Sequence, residues 1–329
     1  SSTAMPARLS KFFHSRYAML LAAVLMALAA WLTYANGGLA PVCGDRGVAL
    51  PSANCWLPSG PVSLWAGVGM ELAVIAVMMA INRTYNLLRS LSMLFGVLYA
   101  FMAIATSELT AQFYTGPLLA LTLACCVALM FGSYGRSDRR REVFLVFFML
   151  SAGTATRHSF AVYIPVMALC CAQMRLMSVR TVVAALMGIV APWWLLFGLG
   201  IVAPAGVHLP SPVALLSTIN FSEGVQLAVT VSITAIIFVA AIVLDFFRTM
   251  AYNARARAYN GAIVAMGFVT ILAMALDYNN VSSYIPTLNM CASLQAAQFF
   301  VIHRSERSWI GITSVIAVYA ALFVWKILI

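Results

Sequence analysis

The chain has 329 residues, 63% of them hydrophobic and only 9% charged, with a formal net charge of +10. Soluble domains carry roughly 25% charged residues, so this composition excludes one and makes the lipid bilayer the solvent. The positive balance does not point to nucleic acid: the arginines stand in short connections between apolar runs, where they act as topology signals and attract anionic membrane lipids.

Inside hydrocarbon every backbone N–H and C=O must be satisfied within the protein, which leaves helices or a closed barrel. The apolar runs are about 20 residues long and do not alternate, so helices are expected. They fall at 17–36, 62–82, 90–112, 114–133, 142–157, 158–174, 181–203, 225–247, 259–279, 284–303 and 308–328. The expected fold is therefore all-α, a polytopic transmembrane bundle of about 11 spans. A short cytoplasmic segment, 1–16, precedes a single membrane domain, 17–329.

The first run follows Arg8, Lys11 and Arg16 and outlasts the 7–15-residue core of a signal peptide, which favours a retained span. With the N-terminus placed in the cytoplasm, sixteen of the nineteen lysines and arginines lie inside, and only Arg46, Arg157 and Lys326 lie outside. This is a strong positive-inside bias. Two outer loops, 37–61 and 204–224, are rich in Gly or Pro. The first holds Cys43 and Cys55, either a disulfide or two separate thiols.

Glu71 falls near the middle of its run, beside Gly67 and Gly69, which permit close helix approach or a water pocket. A carboxylate there is either protonated and hydrogen-bonded to a neighbouring helix or a proton or cation site. The runs 142–157 and 158–174 are short, reaching about 24–26 Å against a core of about 30 Å. Either both span a locally thinned bilayer or they form a re-entrant hairpin, leaving 10 spans. Both arrangements place Arg157 and His158 deep. Arg157 then either holds a carboxylate or phosphate, or it snorkels to the interface or makes a structural ion pair. Glu108 and Asp277, near the outer ends of their runs, are either ordinary interface carboxylates or partners of Arg157 and His158 in an outward-facing pocket that supplies an acid–base pair or a cation site.

Polar stripes at helical spacing appear in two runs: Gln226, Thr230 and Thr234, and Thr287, Cys291, Gln295 and Gln298. They suit a solvated pathway or interhelical hydrogen bonding. Asp245 stands near Arg248, where a surface ion pair is the default. Pro192-Trp-Trp194 either kinks its helix open or packs. The intramembrane cysteines lack His or carboxylate partners at ligand spacing, so no metal is expected, and no phosphate-cradling, dinucleotide or nucleophile-elbow motif implies a cofactor.

Asn82-Arg-Thr-Tyr-Asn-Leu-Leu-Arg89, the arginine-rich turn 136–141 and Leu186-Met-Gly-Ile-Val-Ala-Pro-Trp-Trp194 together resemble uncharacterised polytopic inner-membrane proteins of the Bacteroidota. The resemblance implies a multi-helix fold in a bacterial inner membrane and no particular activity. Three functions stay open: transport or flipping of an anionic or amphipathic solute, including a lipid-linked one; a transferase acting on a lipid-linked substrate at the outer face; and a non-catalytic subunit of a cell-envelope complex. For the first, Arg157, His158, Glu71, Glu108, Asp277 and Gln295 are the candidate solute contacts.

Overall fold

A computed structural model describes residues 11–39, 47–88, 90, 92–136, 138–208, 224–303 and 308–328. Cys43 and most of loop 204–224 lie outside them, so the Cys43–Cys55 bridge falls outside the described residues. Regular structure among the described residues is helical throughout, and each apolar run contains a helix. These are α1 (Arg16–Ala35), α2 (Pro61–Tyr85), α3 (Leu94–Ala105), α4 (Thr115–Gly132), α5 (Arg140–Thr156), α6 (Tyr163–Gln173), α7 (Val179–Gly198), α8 (Val225–Met250), α9 (Ala254–Leu276), α10 (Val281–Ile302) and α11 (Ser308–Leu328). Eight of them are long and apolar enough to cross a membrane; α3, α5 and α6 are shorter.

The helix ends are set by local chemistry. Ser15 caps α1 by accepting from the Ala18 amide at 3.3 Å, and Ser178 with Thr181 forms a reciprocal capping box on α7. Pro61 begins α2, where its missing N–H costs nothing, and Asn86 ends that helix in the left-handed region at φ 51°. The run 90–112 is not one helix. It breaks at Thr106, whose hydroxyl turns back to the Ala103 carbonyl at 3.3 Å, and resumes as a single turn over Ser107–Thr110.

Side-chain and backbone bonds sort the helix ends into two groups. At one end Tyr85 donates to Ala128 O at 3.0 Å, Tyr259 to Phe131 O at 2.9 Å, the Gly135 amide to Met174 O at 3.0 Å and Arg248 to Ile302 O at 3.2 Å. At the other, Thr33 donates to Ser107 Oγ at 2.8 Å, Thr115 to Asn54 Oδ1 at 2.7 Å and the Ala49 and Leu50 amides to Ala155 O at 2.8 Å. The helices therefore run alternately between an arginine-rich end and an opposite end. The described cations at the latter are Arg157 and Lys326.

Helix α10 is the axis of the bundle, packed against α3, α4, α8 and α9 and buried on every side. Around it, small residues let backbones meet, as membrane interfaces require where lipid supplies no hydrophobic drive. Gly188 brings α7 onto α5, where a Cβ would stand 2.6 Å from Phe144 O, and Ser151 of α5 donates to Ile189 O at 2.6 Å. The outer face of α7 is bare apolar surface. Pro192 is buried within a continuous helix and Trp194 is 70% exposed, so the Pro-Trp-Trp segment packs on one side and presents an apolar face on the other instead of opening a cavity.

Of the two glycines near Glu71 only one supports close approach. A Cβ on Gly67 would lie 2.4 Å from Gln112 O, whereas one on Gly69 meets nothing within 4 Å.

Candidate functional site

Two chain reversals meet at the end opposite the arginine-rich one. Helix α5 stops because Arg157 takes an extended conformation (φ −153°, ψ 135°), and a 3-10 turn, His158–Phe160, leads into α6. Helix α9 stops in the same way at Asp277 (φ −132°, ψ 62°), followed by the 3-10 turn Tyr278–Asn280 and then α10. Each break frees backbone and side-chain polar groups that must be satisfied within a low-dielectric setting.

They satisfy one another. His158 Nε2 lies 2.6 Å from Asp277 Oδ2, Asn280 Nδ2 donates to Asp277 Oδ1 at 2.8 Å, and the Tyr284 hydroxyl donates to Oδ2 at 3.3 Å. Arg157 donates through one Nη to Asn280 Oδ1 and through the other to Ser52 Oγ at 3.3 Å. Residues 47–52 of the first loop fold over the tip of α5, which is how an arginine at the end of a helix comes to be 4% exposed. Gly47 makes that fold possible: its φ is 65°, and a Cβ would collide with Leu50 O at 2.1 Å.

Burial pushes the Asp277 carboxyl up, but hydrogen bonds from His158, Asn280 and Tyr284 outweigh it and hold the group below the usual carboxylate range. An ionised carboxylate only accepts, so the His158 Nε2 hydrogen points at Asp277, and in the neutral ring Nδ1 keeps the lone pair. The dyad thus offers one base beside one buried guanidinium. Two fully buried hydroxyls adjoin it in the chain, Ser159 next to His158 and Ser283 next to Tyr284, and neither has a hydrogen-bond partner among the described residues.

The other candidates stand apart from this cluster. Glu71 is 2% exposed in the middle of α2, and the Tyr99 hydroxyl of α3 donates to its Oε2. Glu108 does not meet Arg157 or His158; it pairs with Lys326, tying the last turn of α11 to the turn after α3. The reason is topological, since α3 packs on α11, which carries Lys326, while His158 and Asp277 stand in the breaks that follow α5 and α9. Gln295 donates to Asn260 Oδ1 on α9 at 2.7 Å, about 22 Å along α10 from Asn280.

The stripe on α8 is interhelical glue. Gln226 donates to Ala105 O at 3.0 Å and Leu322 O at 3.1 Å, and Thr234 meets the Tyr319 hydroxyl at 2.8 Å. Asp245 forms no surface pair with Arg248: it is buried, 3.4 Å from His303 Nδ1. Cys126, Cys170, Cys171 and Cys291 are buried in the core, and among the described residues no group of three or more His, Cys, Asp or Glu is placed to hold a metal.

Sequence reasoning did not single out Ser52, Tyr99 or Lys326 as site members. Tyr99 carries a usable signal, a tyrosine in the middle of an apolar run, away from the interfaces that tyrosines prefer. Ser52 carries none. Comparison with protein-family models, curated proteins and solved structures finds no match to this chain.

Proposed function

We propose that this multi-pass membrane protein moves or flips an anionic or amphipathic solute, of free or lipid-linked form, by engaging it at the Arg157–His158–Asp277 cluster. The observation that carries the reading is the position of that cluster at the head of α10, a helix buried on all sides yet polar along its whole length through Ser283, Thr287, Asn289, Ser293, Gln295 and Gln298. A purely structural axis in lipid is more economically apolar, and a polar one suits a path that hydrates as helices rock around it. In this reading all eleven helices span, the three short ones in a locally thinned bilayer, and the N-terminus faces the cytoplasm. The membrane is a bacterial inner membrane, in keeping with the sequence resemblance to polytopic Bacteroidota proteins. Arg157 contacts the anion, and the Glu71–Tyr99 pair is the coupling proton site.

A second reading rests on the dyad itself. An ionised aspartate that fixes a histidine tautomer beside a guanidinium is also the arrangement needed to deprotonate an acceptor hydroxyl while holding a phosphate, so a transferase acting on a lipid-linked substrate at the outer face fits the same residues. Native mass spectrometry of protein released from its own membranes tests the shared premise. An anionic amphiphile retained by the wild type and lost from Arg157→Gln is expected; a wild type that releases nothing removes both readings. Conversion of that amphiphile, abolished in His158→Ala, would select the transferase, and unchanged recovery would select the carrier.

A further inference from the structure

At the arginine-rich end, a cavity of about 290 Å³ opens between the end of α2 and the start of α9. Its walls include Tyr85, Asn86, Asn253, Arg255 and Tyr259, and none of the described residues that line it is acidic. Asn86, in the left-handed conformation that terminates α2, turns residues 84–87 into one wall. The volume is several times the roughly 30 Å³ that a water occupies in the liquid, ample for a phosphate with its ester substituents.

Arg255 is held before any ligand arrives. Its Nε donates to the Tyr259 hydroxyl at 2.6 Å, which in turn donates to Phe131 O at 2.9 Å. The guanidinium carbon lies 5.4 Å from the Tyr259 ring centroid and 5.8 Å from that of Tyr134, within cation–π range. Tyr259 is itself fixed by stacking on Phe131 at 4.0 Å and by edge contact with Tyr85 at 6.0 Å. Among the described residues Nε makes the one hydrogen bond of this guanidinium, so both Nη groups remain for a ligand, the half of the fork that grips two oxygens of a phosphate or carboxylate. The first turn of α9 adds its partial positive charge at the same place.

We infer that this cavity is a binding site for a phosphate-bearing anion, with Arg255 as its bidentate ligand and the rings of Tyr259 and Tyr134 as the rigid support that orients it. Its level in the bundle, where tyrosines gather at a membrane–water boundary, makes the headgroup of an anionic phospholipid one source of that phosphate and a water-soluble phosphate the other. The site is separated from the Arg157 cluster by the length of the bundle and stands independently of the function proposed there.

The test is a titration of the full chain in phosphatidylcholine nanodiscs with phosphatidylglycerol, and separately with inorganic phosphate, read by native mass spectrometry. Saturable retention of one anion is expected, weakened at least tenfold in Arg255→Gln, partly restored in Arg255→Lys, which keeps the charge without the fork, and unchanged in Arg180→Gln, which lies outside the cavity. Retention of phosphatidylglycerol that inorganic phosphate does not displace assigns the site to lipid; binding of inorganic phosphate alone assigns it to a soluble ligand. Binding by Arg255→Gln as tight as that of the wild type, or no retention of either probe, overturns the proposal. Tyr259→Phe, which keeps the stacked ring and loses only the hydroxyl with its bonds to Nε and to Phe131 O, covers the case in which Arg255→Gln fails to fold, with a several-fold loss expected and an unchanged affinity counting against the site.

Discussion

His158 and Asp277 lie 119 positions apart in the chain, yet His158 Nε2 and Asp277 Oδ2 are 2.6 Å apart, so that with the Arg157–Asn280 bond the breaks in two different helix pairs are closed on each other. Asp277 accepts from three side chains at once, which makes it the residue on which the cluster's order depends.

Replacing Asp277 with Asn removes the ionised acceptor and leaves His158, Asn280 and Tyr284 competing for an amide. A loss of about 1–3 kcal/mol follows from stranding buried donors. Thermal unfolding in detergent should show a lower midpoint, and a midpoint unchanged from wild type would show the cluster to be dispensable.

The same group gives a pH dependence of definite sign. The folded carboxyl titrates below the ordinary aspartate value, so its contribution is complete above a pH of about 4 and is lost as the pH falls through the depressed folded value. Wild-type stability should therefore decline on acidification in that window more steeply than that of Asp277→Asn, as equilibrium unfolding at stepped pH would show.

Gly47→Ala places a methyl where Leu50 O and Thr156 O already stand, at 2.1 and 2.8 Å, and forces a strained φ. The loop should lift from the tip of α5. Hydrogen exchange would report it directly, because the Ala49 and Leu50 amides both bond to Ala155 O and should lose protection while the helices keep theirs.

Gly67→Ala and Gly69→Ala form a matched pair on one helix. The first drives a Cβ to 2.4 Å from Gln112 O and is expected to cost about 1–3 kcal/mol, while the second meets open space and should stay within about 0.5 kcal/mol of wild type. Equal effects in the two variants would mean that α2 does not pack as described.

If α10 lines a path that hydrates during function, its native Cys291, fully buried at mid-helix, should react with a small membrane-impermeant thiol reagent in proteoliposomes. Peptide mapping would locate the adduct. Protection of Cys291 under all conditions would favour a static axis, and Glu71→Gln should then leave any solute movement independent of pH unaffected.

The sequence by itself determined the solvent, the secondary structure and the places where polar chemistry had to be found. Those follow from local rules: a run of about 20 apolar residues has no stable form in lipid but a helix, and a charge inside such a run must be answered by something. Hence every apolar run contains a helix, and Arg157, His158 and Glu71 are all buried or nearly so. What no local rule contains is which helix faces which. Glu108 and Asp277 look alike along the chain, each an acid near the end of an apolar run, yet one meets Lys326 of the last helix and the other meets His158. Gly67 and Gly69 are two residues apart, and only the first touches another backbone. The partner of each was settled by packing around α10, because in a bilayer the choice of neighbour depends on small-residue fit and on hydrogen bonds between segments far apart in sequence, neither of which leaves a periodicity to read.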